Sequence, residues 1–301
     1  MRLRTLIPVT AALGATAVGY VTVIERNWFA LRRYDVPVLP PGAAPLRVLH
    51  ISDAHLTPGR KRLMSWIRTL GDLDPDLVVN TGDCIAHPEA IGCFLDSLGP
   101  LLDRPGVFVY GSNDLYGPQP RNPMRYVRRT GSTPPGPKSV HLPWEKLRDG
   151  MLEAGWLDLN NRRDQLTIGG LGIALAGVHD SHISRDRYQD VAGRADPAAG
   201  LRIGVMHSPE PRILDQFAAD GYDLLMAGHT HGGQLCLPVY GTLVTNCGLD
   251  RERARGLHRH PADGQAWLHV SAGLGTSPWA PARFACRPEA TLLTLTAREP
   301  R

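Results

Sequence analysis

Short apolar runs that break off at a carboxylate, an imidazole or a glycine recur along the chain, and they set the expected elements. Leu46-Arg47-Val48-Leu49-His50-Ile51-Ser52 reads as a strand ending on Asp53, with a helical stretch around Leu63 to Leu70 behind it. Leu77-Val78-Val79-Asn80-Thr81 reads as a second buried strand ending on Gly82-Asp83, followed by a helix from about Pro88 to Leu98. Val107-Phe108-Val109-Tyr110 is a third, ending on Gly111-Ser112-Asn113-Asp114. In the second half, Ile173 to Val178 runs into His179-Asp180-Ser181-His182, Leu201 to Met206 into His207, and Asp223 to Ala227 into Gly228-His229. Ala266 to Val270 and Thr291 to Thr296 read as closing strands around the Gly- and Pro-rich loop Gly273 to Pro288.

Alternation of strands and helices predicts an α/β fold, with a two-layer β-sheet core flanked by helices. The chemistry-bearing residues all fall just past the carboxyl ends of strands, where open α/β sheets build their sites. Between Gly117 and His141 lies a Pro/Gly/Arg-rich stretch expected as a long surface excursion near the site.

The N-terminus differs in kind. Leu6 to Ile24 is uncharged and rich in Ala, Val, Gly and Thr, with Arg2 and Arg4 before it and Glu25-Arg26 after it. That is about the ~20 residues that cross a bilayer. A secretory signal cleaved near Ala15-Thr16-Ala17 and a buried core helix are the other readings. Arg26, Arg32 and Arg33 balance the leading arginines, so charge asymmetry does not orient the segment and the side of the membrane is left open. Residues 26–45 read as a juxtamembrane connector, since Pro37, Pro40, Pro41 and Pro45 oppose regular structure. The expected division is 1–25 as transmembrane anchor or signal, 26–45 as connector and 46–301 as one globular domain. Localisation is then at the membrane through a single N-terminal span.

At 301 residues the chain can hold one large domain with its own core. The balance of 33 Lys and Arg against 29 Asp and Glu is only mildly basic, and no aromatic-interleaved basic run points to nucleic acid. Five cysteines (Cys84, Cys93, Cys236, Cys247, Cys286) form no CxxC, which argues against a zinc knuckle or redox motif and for buried thiols. Pairing such as Cys236 with Cys247 would need an oxidising compartment.

A lone His or Asp after a strand is commonly a cap or turn residue. Here Asp53-Ala54-His55, Gly82-Asp83, Asn113-Asp114, His207 and Gly228-His229-Thr230-His231-Gly232-Gly233-Gln234 occur together. Carboxylates can bridge two cations, and neutral imidazole and amide oxygen complete the shells without repelling a phosphate. The residues therefore favour a two-metal hydrolase. His50, His141, His258, His260 and His269 read as structural or solvent-exposed.

The series Asp53-x-His55, Gly82-Asp83, Gly111-x-Asn113-Asp114, His207 and Gly228-His229-x-His231 resembles the calcineurin-like metallophosphoesterases. With Gly273-Leu274-Gly275-Thr276-Ser277 and Arg287-Pro288-Glu289 it resembles more narrowly their membrane-associated bacterial branch, over roughly Leu46 to Leu295. The resemblance implies a four-layer α/β/β/α sandwich. It implies one metal held by Asp53, His55, Asp83 and His231, and a second by Asp83, Asn113, His207 and His229, with Asp83 bridging. Two divalent ions (Mn, Fe or Zn) would share a hydroxide that attacks a phosphoester or pyrophosphate bond in line, in a lipid-linked or nucleotide-sugar substrate among others.

The family pattern after the third strand is Gly-Asn-His-Asp/Glu, whereas this chain has Gly111-Ser112-Asn113-Asp114. Either Asn113 is the ligand and Asp114 takes the place of the histidine that helps the transition state, or Ser112 is the ligand and Asn113 replaces that histidine. Amide oxygen is the better neutral ligand, which favours the first. In both alignments the usual acid is missing, and Asp114, His87, His179 and His182 are the substitutes considered. The altered loop also keeps open a catalytically weak, metal-binding membrane module.

Overall fold

The computed structural model describes residues 14–120, 140–261 and 264–299. Most of the expected Gly117 to His141 excursion, with Arg121, Arg125, Arg128 and Arg129, and the first part of Leu6 to Ile24 lie outside the described residues.

The chain begins, as described, with helical residues 14–19, a π turn at Tyr20–Ile24 and a 3-10 turn at Glu25–Asn27. Then follow β1 (Ala30–Leu39), β2 (Leu46–Ile51), α1 (Lys61–Thr69), β3 (Leu77–Asn80), α2 (Ala90–Leu98), β4 (Gly106–Phe108), α3 (Ser112–Leu115), α4 (Trp144–Glu153) and β5 (Leu157–Asp158). The second half carries β6 (Arg162–Ile168), β7 (Leu171–Gly177), β8 (Leu201–Val205), α5 (Pro211–Ala219), β9 (Leu224–Ala227), the short pair β10 (Cys236–Leu237) and β11 (Gly241–Thr242), then β12 (Gly256–His260), β13 (Ala266–Val270) and β14 (Glu289–Ala297). One sheet has the order β1-β14-β2-β3-β4-β5 and the other β12-β13-β9-β8-β7-β6.

Strand periodicity builds the layers. In β2 the side chains of Leu46 and Val48 enter a core shared by both sheets, and those of Leu49 and Ile51 face α1, α2 and α4. In β9, Leu224 and Met226 enter the shared core while Leu225 and Ala227 pack on α5. Two sheets therefore stack face to face with helices on both outer surfaces, as expected. Parallel pairing of β2 with β3 and β4, and of β7 with β8 and β9, points their carboxyl ends at one rim.

One expectation needs correction. The prolines do not keep residues 26–45 irregular: Ala30–Leu39 is a ten-residue strand, parallel to β14 from Ala30↔Glu289 onward. Proline is tolerated because β1 is an edge strand with one paired side, where half of the N–H groups point away from the sheet, and the register shifts between Pro37 and Leu39. The span expected over Leu6 to Ile24 lies partly outside the described residues, and no helix among those described is long and apolar enough to cross a membrane.

Candidate metal centre

Strand ends deliver the site through strained turns. Five of the seven candidate ligands have positive φ: Asp53 (53°), His55 (40°), Asp83 (55°), His229 (69°) and His231 (49°). A non-glycine residue there costs on the order of 1–3 kcal/mol, and such strain persists where the surroundings fix a functional geometry. The turns aim successive side chains from different strands at one point.

At that point Asp53, His55 and His231 offer ligand atoms within 4.8 Å of one another, as do Asp53, Asp83 and His207. Asp83 Oδ2 stands between two imidazoles, 3.4 Å from His55 Nε2 and 3.5 Å from His207 Nε2. His55 Nε2 and His231 Nε2 face each other at 3.0 Å, and His231 Nε2 is 3.4 Å from Asp53 Oδ1. His229 donates its amide to the Asp53 carboxylate and sits with its ring centroid 5.2 Å from that of His207. Asn113 donates its amide nitrogen to Asp83 Oδ2 at 2.7 Å and its backbone N–H to Oδ1 at 2.8 Å. Asp53, His55, Asp83, His207 and His231 thus bring ligand atoms together, while His229 joins through its amide and its ring, with Nε2 3.2 Å from the Asn246 carbonyl, and Asn113 through its N–H donors; of the two residues weighed for the loop it is Asn113, not Ser112, that is placed on Asp83.

The donor set fits cations. His207 Nδ1 lies 2.7 Å from the Thr81 carbonyl, which can only accept, so that nitrogen carries a proton whatever the charge of the ring. Nε2 points at the Asp83 carboxylate. In the neutral ring two acceptors face each other there, an arrangement that a second proton on Nε2 or a cation between the two atoms resolves. Burial opposes charge on His207, but the carboxylates of Asp83, Asp180 and Asp53 push its pKa well up. Burial likewise works against ionised Asp83, yet His207 and His55 hold it well below the usual carboxylate range. The cluster is built to hold positive charge next to fixed carboxylates.

Glycine allows the approach. A Cβ on Gly111 would lie 2.1 Å from Asp83 Oδ1 and 2.6 Å from His207 Cε1. Gly111→Ala should therefore reduce phosphoester turnover by about two orders of magnitude by displacing two ligands, a ~3 kcal/mol effect. Gly92→Ala, on α2 with open space around its Cβ, should leave turnover unchanged; steady-state kinetics on the two variants checks both.

The four proposed acids separate. Asp114 is buried and accepts from the amides of Gly111, Asp83 and Cys84 at 3.0, 2.8 and 2.7 Å, so it ties two strand-end loops together instead of facing a substrate. Burial and then Asp83 raise its pKa to about 7. His87 is exposed and accepts the Glu89 amide, which turns it onto its own loop. His179 accepts the Asp180 amide, and burial with Arg185 lowers it to about 4. His182 alone reaches the cluster, with its ring centroid 4.5 Å from that of His229.

Sequence reasoning missed the support behind the ligands. His50 and His269, taken as structural, meet across the sandwich at 2.7 Å between Nδ1 atoms. From His50 Nε2 a chain runs through Thr81 Oγ1 (3.0 Å) and Ser52 Oγ (2.7 Å) to Asp53 Oδ2. The available signal was position, since Ser52 and Thr81 immediately precede Asp53 and Gly82. Asp180 was also passed over. It is buried beside the cluster, and burial, against the pull of His207, raises it to about 7.

A profile of the calcineurin-like phosphoesterases matches residues 46–233. The chain is 27% identical over 299 residues to phosphodiesterase YaeI of Escherichia coli (strain K12), covering 97% of this chain and 98% of that one. It is 27% identical over 290 residues to UDP-2,3-diacylglucosamine pyrophosphatase LpxG of Chlamydia trachomatis, covering 82% and 83%. A transmembrane protein with metallophosphoesterase domain from Bos taurus aligns at 26% identity over 218 residues, 68% of this chain and 45% of that one.

Proposed function

The chain belongs to the calcineurin-like phosphoesterase family, whose members here include a phosphodiesterase and a pyrophosphatase, and from that premise we propose a dinuclear hydrolase of phosphodiester or pyrophosphate bonds. One ion would be held by Asp53, His55, Asp83 and His231 and the other by Asp83, Asn113, His207 and His229. The observation that carries this reading is Asp83 Oδ2 lying nearly equidistant from an imidazole of each shell, at 3.4 and 3.5 Å. Two divalent ions (Mn, Fe or Zn) in such a site supply a polarised phosphoryl oxygen and a water of lowered pKa.

The protein's own part is placement. The Thr81 carbonyl fixes the tautomer of His207, the Asn113 amide orients Asp83, and Asp114 locks the loop after β4 to the loop after β3. Imidazoles rather than further carboxylates complete the shells, which keeps the site from repelling an anionic substrate. His182, against His229, is the group best placed to pass a proton to the leaving oxygen.

We place the substrate at a bilayer, as a lipid-linked phosphate ester or nucleotide-linked sugar. The uncharged stretch Leu6 to Ile24, the relative named as a transmembrane protein and the relative named for a diacylated nucleotide sugar support that reading. The full chain in neutral detergent should hydrolyse bis(p-nitrophenyl) phosphate, lose that activity with a chelator and regain it with Mn²⁺, and metal analysis should find two ions per chain. Two ions bound with no turnover of any phosphoester would instead support a metal-binding module, and a reproducible maximum of one would end the dinuclear reading.

A further inference from the structure

Beside the metal cluster lies a group of cations that no carboxylate among the described residues answers. The Gly275 and Leu274 amides bond to the carbonyls of Asp53 and Ser52, so the loop carrying Thr276 lies directly against the ligand turn. Thr276 is buried, and its hydroxyl receives Arg26 Nε at 2.8 Å and Arg60 Nη1 at 3.5 Å. Arg60 Nη2 is buried and has no hydrogen-bond partner among the described residues. Among the described residues neither Arg26 nor Arg60 forms an ion pair. Arg283, fully buried a short way off, gives its hydrogen bonds to the carbonyls of His231, Ala272 and Gly275.

An arginine half withdrawn from water without a counter-charge is costly, and one buried nitrogen with nothing to donate to adds to that cost. The burial of Arg60 and the nearby charges of Arg26 and Arg283 lower its guanidinium to about 10, as expected of crowded cations lacking an acid. Arg60 also stands at the head of α1, whose first turn holds no acidic residue. A ligand that removes the cost must be anionic, must accept several N–H bonds at once and must fit between two guanidinium forks. A phosphoryl group does all three.

We propose that Arg26, Arg60 and Thr276 form a phosphoryl-binding subsite adjoining the metal cluster, which holds a second phosphoryl group of a pyrophosphate-linked or bisphosphorylated substrate. This rests on the hydrolase reading above and narrows its substrate class. The subsite is built by the chain itself and needs no metal, so it can be read separately from turnover.

The test titrates the full chain, in neutral detergent and stripped of metal, with inorganic pyrophosphate in a calorimeter. Arg60→Gln and Arg26→Gln should each weaken binding by about tenfold or more, and Arg60→Lys should fall between, since it keeps the charge and loses the fork. Arg148→Gln, at a partly exposed residue paired with Asp149 on α4, should bind as wild type. Thermal unfolding confirms that each variant folds. Equal binding by Arg60→Gln and wild type, or an equal loss in Arg148→Gln, would overturn the subsite. A second arm replaces pyrophosphate with micelles carrying phosphatidic acid. An arginine-dependent response to micelles alone assigns the subsite to a lipid headgroup phosphate instead of a second substrate phosphate, and so overturns the substrate part of the proposal. Binding that depends on Arg60 in a chain that hydrolyses nothing would leave the subsite standing and remove the hydrolase reading.

Discussion

Asp83→Asn should lower the turnover of bis(p-nitrophenyl) phosphate at least about a hundredfold, a barrier increase near 3 kcal/mol. The substitution keeps the shape of the side chain and can keep the bond from the Asn113 backbone N–H, so the loop geometry is preserved. What it removes is the charge on the one oxygen that faces both His55 and His207. An amide there can satisfy one imidazole but not both, and it no longer draws a cation into the cluster. Fold stability should fall as well, though by less. Against its burial, His207 and His55 hold Asp83 well below the usual carboxylate range, so its ionised form contributes stability at neutral pH that an amide does not, while relief of its repulsion with buried Asp53 and Asp114 offsets part of that loss. A folded variant with a moderately lower unfolding temperature and collapsed turnover is therefore expected. A variant that loses activity only because it unfolds would contradict the assignment.

Removing residues 1–40 should cost the fold itself. That deletion strips β1 from β14 and takes away Val36, Val38 and Leu39, all buried in the core between the sheets. At about 1.5–3 kcal/mol for each buried aliphatic side chain the loss is roughly 5–9 kcal/mol, comparable with the whole stability of an ordinary domain. It also bares the edge of β14 to other chains. The truncated protein should be found largely insoluble, and its soluble remainder should unfold well below the full chain in a thermal melt. A chain starting at Gly14 keeps Tyr20 against Phe284 and the Glu25 carboxylate on the Cys286 amide, and should melt close to the full chain.

The same strand shows where reading the sequence stops. Leu77–Asn80 and Leu224–Ala227 were legible because buried parallel strands are unbroken apolar runs, and the polar residue that ends each run marks the rim. Ala30–Leu39 was not, because Pro37 argues against a strand until its edge position is known. Arg162–Ile168 was missed since most of its side chains face solvent, leaving no hydrophobic alternation to see. Within the site, the ligand types and their order were legible. Direction was not: His87 and His182 both follow strand ends, and only the turn geometry sends one outward and the other against His229. Arg26 and Arg60 carry no local pattern, and Thr276 stood out only as part of the Gly273 to Ser277 run, with nothing to show that distant parts of the chain bring the three together.

In the first sheet β14 lies between β1 and β2, so a strand from far along the chain separates the first two. On a ribosome adding roughly 5–20 residues per second, β1 emerges on the order of tens of seconds before the segment that pairs with it. Throughout that interval the edges of β1 and β2 that face β14 have no partner, and the sheet becomes continuous only once residues 289–297 are available to pair. A chain stopped short of Glu289 would hold every proposed metal ligand yet leave the first sheet open.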